Sequence, residues 1–148
     1  MQLSKHSKYY EGILQLRNPT KEILAFLDTQ IYRRQGFFVS KVERFKNGFD
    51  FYVSSKKAVI QIAKAIEKKF GGEIKTSAEH YSRDRNTSRD VYRVTVMYRY
   101  YGVKKGDVVN IRGEDFKIIR TGRKLHDMNK VTGKKLIMGY AELQNKTV

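Results

Sequence analysis

Apolar residues return every three or four positions in two stretches of the chain and at every second position in most of the rest. In the first helical stretch Ile23, Leu24, Leu27 and Ile31 share one face up to about Gly36. Asn18 stands where an N-cap belongs, and Pro19 occupies the first helical position, where its missing N–H leaves no bond unmade. The second stretch carries Val59, Ile62, Ala63, Ile66 and Phe70 as its stripe, with Ser54 or Ser55 as cap and Gly71 and Gly72 as the stop. Lys56, Lys57, Lys64, Lys68 and Lys69 fall off that stripe and read as a solvated face.

Residues 9–17 alternate instead, with Tyr10, Leu14 and Leu16 on one side, Gln15 and Arg17 on the other, and Ile13 as the exception. Aromatic and β-branched runs at 37–45 and 49–54 flank Asn47 and Gly48, the pair that tight hairpin turns prefer. Two further strands fit 73–79 and 91–100, around a polar loop at 80–90. In the second, Tyr92, Val94, Val96 and Tyr98 face one way while Arg93, Thr95, Met97 and Arg99 face the other. With one apolar stripe per helix, the order strand, helix, hairpin, helix, two strands predicts an α+β fold. Its core is a five-stranded, mostly antiparallel sheet carrying both helices on one face.

Beyond residue 102 the helical stripes cease. Alternating runs at 107–111, 116–120 and 136–143, punctuated by Gly102, Gly106, Gly113, Gly122, Gly133 and Gly139, predict a small SH3-like or OB-like β-barrel. The expected division is an α/β domain at 1–101 and a barrel at 102–148 that leans on it. Tyr100 and Tyr101, at the division, read as packing residues.

Charge changes the picture most. Lys and Arg total 31 against 15 Asp and Glu, a formal net charge of +16 over 148 residues. Such an excess steers a protein toward extended polyanions and makes nucleic acid the first expected partner. No run reaches the roughly 18 apolar residues of a spanning helix, and residues 1–10 have no apolar signal core. The expected setting is therefore cytoplasmic, with no membrane partner. With no Cys in the chain, disulfides, thiolate metal sites and cysteine nucleophiles are excluded.

His6, His80 and His126 show no metal-ligand spacing, so neither a metal nor a cofactor is expected. Gly133, Lys134 and Lys135 lack the upstream glycine and following hydroxyl of a phosphate loop and read as a basic β-turn. Neither Gly-x-Gly-x-x-Gly nor Gly-x-Ser-x-Gly occurs, and carboxylates are outnumbered two to one, so no catalytic residue and no small-molecule substrate is expected.

What remains is basic residues in turns and loops. Arg33 with Arg34, the loop arginines Arg83, Arg85 and Arg89, Arg120 with Arg123 and Lys124, and Lys130 with Lys134 and Lys135 form the candidate RNA-binding set. Guanidinium forks match phosphate oxygens, and loops can follow irregular RNA surfaces. Arg33 and Arg34 equally complement the dipole of the first helix. On the polar sheet face, Gln15, Arg17, Tyr52, Arg93 and Arg99, with Asp50 as counter-charge, would bind RNA or dock another domain.

The strand Tyr9-Tyr10-Glu11-Gly12-Ile13-Leu14-Gln15-Leu16-Arg17 is followed by Gly48-Phe49-Asp50-Phe51-Tyr52-Val53-Ser54-Ser55. Lys75-Thr76-Ser77 and a Tyr-x-x-Thr strand at Tyr92 and Thr95 come next. In that order the sequence resembles the Nmd-three family, known in eukaryotes as the nuclear export adaptor of the large ribosomal subunit. Gly106-Asp107-Val108-Val109 and Leu125-His126-Asp127, followed by Thr132 and Gly133, extend the resemblance over nearly the whole chain.

The resemblance implies a non-enzymatic ribosome biogenesis factor bound to ribosomal RNA on the intersubunit face of the large ribosomal subunit; the chain is expected to be a monomer. Its place would be near the exit site and the L1 stalk, with the L1 stalk protein as a further partner. By the same resemblance the α/β module is like a ribosomal protein and the barrel is like the first domain of translation initiation factor five-A. Family members carry an N-terminal zinc domain with repeated Cys-x-x-Cys pairs, and eukaryotic ones add a tail with export signals. This chain shows neither, which is similar to an archaeal-type member lacking the zinc domain, either cut to its central and C-terminal domains or encoded without it. The readings set against this one are an RNA-processing or RNA-modifying enzyme subunit, and a protein-docking scaffold without RNA contact. The first would need a catalytic constellation the residues do not supply, and the second predicts partner binding indifferent to salt.

Overall fold

A computed structural model of the chain describes residues 8–83 and 90–147. The first half runs β1 (Gly12–Arg17), α1 (Lys21–Arg33), β2 (Val39–Phe45), β3 (Gly48–Val53), α2 (Lys56–Phe70), β4 (Glu73–Arg83) and β5 (Asp90–Arg99). Its five strands form one sheet in the order β2-β3-β1-β5-β4. Only the β1–β5 pairing is parallel among these neighbours.

Local chemistry sets the ends of the helices. Thr20, not Asn18, caps α1, its hydroxyl accepting from the Ile23 N–H at 3.1 Å. Asn18 instead takes a φ of 54°, a conformation asparagine tolerates better than most, and donates its N–H to the Asn47 carbonyl at 2.8 Å. That bond anchors the β2–β3 turn to the end of β1. Ser55 caps α2 by accepting from Ala58 N–H at 3.2 Å, and Gly71, at φ 71°, ends it.

Both helices bury their stripes on the same face of the sheet. Leu14, Leu16, Phe51, Val53, Val96 and Tyr98 from the strands meet Ile23, Leu27, Val59, Ile62, Ala63 and Ile66 from the helices. Phe26 sets its ring edge-on to Phe70, 5.5 Å between centroids. Tyr10 departs from the expected alternation: a bend at Glu11 puts it on the opposite face, edge-on to Tyr52 at 4.9 Å. β4 is longer than predicted, pairing as far as Arg83 opposite Asp90, while β5 keeps its expected ten residues, shifted by one.

The second half runs β6 (Val108–Ile111), β7 (Glu114–Arg120), β8 (Leu125–Asn129) and β9 (Lys135–Met138), then a 3₁₀ turn at Tyr140–Asn145 and β10 (Lys146–Thr147). It is a barrel-like antiparallel sheet in the order β10-β6-β7-β8-β9. Its core gathers Val103, Val109, Ile111, Phe116, Ile118 and Leu125, closed by Tyr140 and Leu143. The run expected as a strand at 136–143 breaks at Gly139. Tyr140 and Leu143 are both buried three residues apart, the spacing of a 3₁₀ turn.

The two sheets are fastened along a seam. Glu73 and Gly122 form a parallel bridge, in which Ile74 N–H donates to the Gly122 carbonyl at 3.0 Å and Gly122 N–H to the Gly72 carbonyl at 2.9 Å. The Tyr140 hydroxyl donates to the Gly122 carbonyl at 2.7 Å and accepts from the Gly122 N–H at 2.9 Å. Tyr101 stacks on Tyr140 with centroids 4.9 Å apart and donates to Glu73 Oε1 at 3.1 Å. The Thr121 hydroxyl donates to Glu67 Oε1 on α2 at 2.5 Å. Burial pushes the Tyr98 and Tyr140 hydroxyls well above the ordinary tyrosine range, so both remain protonated donors.

Candidate nucleic-acid interface

On the helix-free face of the first sheet the expected polar residues mostly engage one another. Arg17 Nη1 lies 2.8 Å from Asp50 Oδ1 and also donates to the Phe49 carbonyl at 3.2 Å, with its guanidinium over the Phe45 ring. Gln15 Nε2 reaches the other Asp50 oxygen at 3.5 Å. The Tyr52 hydroxyl donates to Glu43 Oε1 at 2.6 Å, and Lys41 Nζ stands 3.1 Å from the same oxygen. The hydroxyl bond, seconded by Lys41, holds the Glu43 carboxyl below the usual range, while the same bond pushes the Tyr52 hydroxyl up to about 12. Arg93 covers the Tyr10 ring at 3.9 Å and donates to the Tyr10 carbonyl. Arg99 is half-buried, in register with Glu73. This face largely neutralises itself and presents little free charge to a polyanion.

The first arginine pair divides. Arg34 donates to Gln61 Oε1 at 2.9 Å and to Gln30 Oε1 at 3.2 Å, tying the end of α1 to α2. Arg33 stays exposed beside Tyr32. Arg83 ends β4, and Arg85 and Arg89 lie outside the described residues.

Free positive charge collects where the sheets join. Arg120, Thr121, Arg123, Lys124 and His126 line a concavity of about 470 Å³. A second, of about 600 Å³, adds Lys105, Lys135 and Ile137 to Arg120 and His126. A third, of about 440 Å³, brings Lys68, Lys69, Lys104 and Lys105 to Arg120 across the seam, with Glu67 the one carboxylate in its lining. Arg120 is common to all three.

The backbone explains this convergence. A bulge between Ile118 and Arg120 interrupts the β7–β8 register, and Arg120 Nη2 comes to 3.2 Å from His126 Nε2 on β8. Arg123 and Lys124 follow Gly122 directly, so the seam holds their loop. Lys104 and Lys105 ride a turn fixed by Lys104 N–H to Asp107 Oδ2 at 3.0 Å and Gly106 N–H to the Ile118 carbonyl at 2.8 Å. Asp127 contributes no surface charge: it is fully buried, neither carboxylate oxygen has a hydrogen-bond partner, and desolvation raises its pKa.

Lys68 and Lys69 are exposed, as the sequence predicts, and also line the third concavity, with Lys69 Nζ 4.7 Å over the Phe26 ring. Lys130 and Lys134 sit at the β8–β9 turn, the opposite end of β8 from Lys124, roughly 17 Å away at strand rise. That turn is braced by Asn129 Oδ1, which accepts from Val131 N–H at 2.9 Å and Thr132 N–H at 3.1 Å. Lys68, Lys69, Lys104, Lys105 and His126 were not among the expected site residues. The adjacent lysines before Gly106 were the one local signal for them.

Among the described residues, no group of three or more His, Asp or Glu could hold a metal ion, and no helix is long and apolar enough to cross a membrane. Fold and site together define an α+β protein that presents a cationic, hydrogen-bonded seam. The family model described as NMD3, second domain, matches residues 9–99, from just before β1 to the end of β5. The chain belongs to the NMD3 family, whose role is in ribosome biogenesis and which is not a known enzyme family. Membership implies association with the ribosome. No curated protein matches the chain.

Proposed function

We propose that this chain is a non-enzymatic ribosome biogenesis factor that binds ribosomal RNA of the large subunit through phosphates gathered at the seam. The observation that carries the reading is the convergence of three basic concavities on Arg120. Each cation there replaces counterions condensed on the RNA, and release of those counterions drives association. The hydrogen bonds through Gly122, Tyr140 and Thr121 hold both walls in place before binding, so little order need be gained on contact.

In this reading residues 1–101 form a ribosomal-protein-like domain and residues 102–148 a barrel like the first domain of translation initiation factor five-A. The chain acts as a cytoplasmic monomer and docks on the intersubunit face near the exit site and the L1 stalk. The family resemblance supports that location.

Pelleting the chain with purified large subunits over a series of salt concentrations tests the electrostatic core of the reading. With roughly six phosphates engaged, log K against log salt is expected to fall with a slope of about −4 to −5. A flat dependence would sink it in favour of a protein-docking role.

A further inference from the structure

One of the three concavities differs in kind from the other two. Lys105, Arg120 and Lys135 rim it, yet Ile119, Leu136 and Ile137 are part of its lining, as is the buried Asp127. Ile137 is 62% exposed. A site for phosphate alone gains nothing from a bare isoleucine between cations.

The strand register shows how these side chains are arranged. Arg120 pairs with His126 and His126 with Ile137, giving a row of cation, imidazole and aliphatic side chain across β7, β8 and β9. The neighbouring row is Lys117, Met128 and Lys135. Side chains on one face of a strand alternate with those on the other, so both rows lie on the outer surface, away from Ile118 and Leu125 in the barrel core. The outer surface therefore interleaves flat or apolar groups with lysine and arginine about one strand spacing apart.

We infer that this outer face of β7, β8 and β9 receives unpaired RNA, with a base lying on His126 and Ile137 and its flanking phosphates on Arg120, Lys105 and Lys135. A nucleotide released from the stack offers both an apolar face and an anion, and single-strand platforms pair those two features in the same way. An A-form duplex keeps its base faces stacked and would use the cations only. The inference rests on the reading of the seam as an RNA site and specifies the form of RNA it takes.

The test compares a fluorescein-labelled single-stranded oligoribonucleotide with a duplex of the same sequence, binding to the full chain at fixed salt. The parent is expected to favour the single strand by about tenfold. Ile137→Thr keeps the β-branched shape and removes apolar surface. It is expected to weaken single-strand binding about fivefold, leaving duplex binding, salt slope and melting temperature unchanged, while Ile137→Val retains most of the affinity. A parent that binds both forms equally, or an Ile137→Thr variant that matches it, overturns the inference while salt-dependent RNA binding stands. A parent with no affinity for either form overturns the seam reading as well. A variant impaired with intact subunits but not with RNA would assign the apolar floor to a protein and overturn the inference.

Discussion

Reversing the charge of Arg123 and Lys124 together is expected to weaken association with large ribosomal subunits by tenfold or more. The same reversal of Lys57 and Lys64 should stay within about threefold. Both double variants lower the net charge equally, so any difference between them measures position. Lys57 and Lys64 are exposed on α2, outside the three concavities. Arg123 and Lys124 occupy a loop whose base, at Gly122, is bonded to both Gly72 and Tyr140. A charge-assisted hydrogen bond is worth about 1.5–3 kcal/mol, and halving that for solvent exposure still leaves two contacts above a factor of ten. Lys68, though on the same helix as Lys64, would be a poor control because it faces Arg120 across the third concavity. Pelleting at one fixed salt concentration gives the comparison, and equal losses would show that only overall charge matters.

Replacing Gly72 by alanine is expected to cost about 3–4 kcal/mol of stability in urea or thermal unfolding, left-handed strain and overpacking together. Gly72 sits at φ 134°, and a Cβ there would stand 2.7 Å from the Arg99 carbonyl oxygen and 2.8 Å from the Tyr98 ring. Neither neighbour can yield easily: one is backbone within the sheet, and the other is a fully buried ring whose hydroxyl is held by the Gly71 carbonyl. Gly106→Ala separates the two contributions. That residue also has a positive φ, 95°, but nothing lies within 4 Å of its would-be Cβ. It should lose only the roughly 1–2 kcal/mol of left-handed backbone strain. Similar losses for the two variants would contradict close packing at the seam.

Much of the first sheet was legible because its elements bury one face each. The stripes Ile23–Leu27 and Ile62–Ile66 and the alternation of Leu14 with Leu16 all became core. The length of β4 was not legible, for the same physical reason. Thr76, Ser77, Ala78, Glu79 and His80 are all exposed, so no apolar alternation marks the outer part of β4. The first cap was misread because Asn18 and Thr20 are both good cap residues two positions apart, and the choice fell to the Asn18 bond with Asn47 across the sheet.

The candidate site was legible only as scattered charge. Arg17 and Arg34 look free in the sequence, but their partners, Asp50 and Gln61, are remote along the chain and near in space. Lys68, Lys104 and Arg120 belong to different elements and meet only because Glu73 bridges Gly122. No local pattern encodes that bridge; it is a backbone contact at glycine, which leaves no periodic trace.

Ultraviolet crosslinking of the chain to purified large subunits, followed by identification of the RNA-bearing peptides, tests most directly whether the seam is what meets ribosomal RNA. The expected crosslinks fall in peptides containing Lys104, Lys105, His126 and Ile137, together with the loop that holds Arg123 and Lys124. Crosslinks confined to the self-neutralised sheet face, at residues 41–52 and 93–99, or none at all on subunits the chain demonstrably binds, would contradict it.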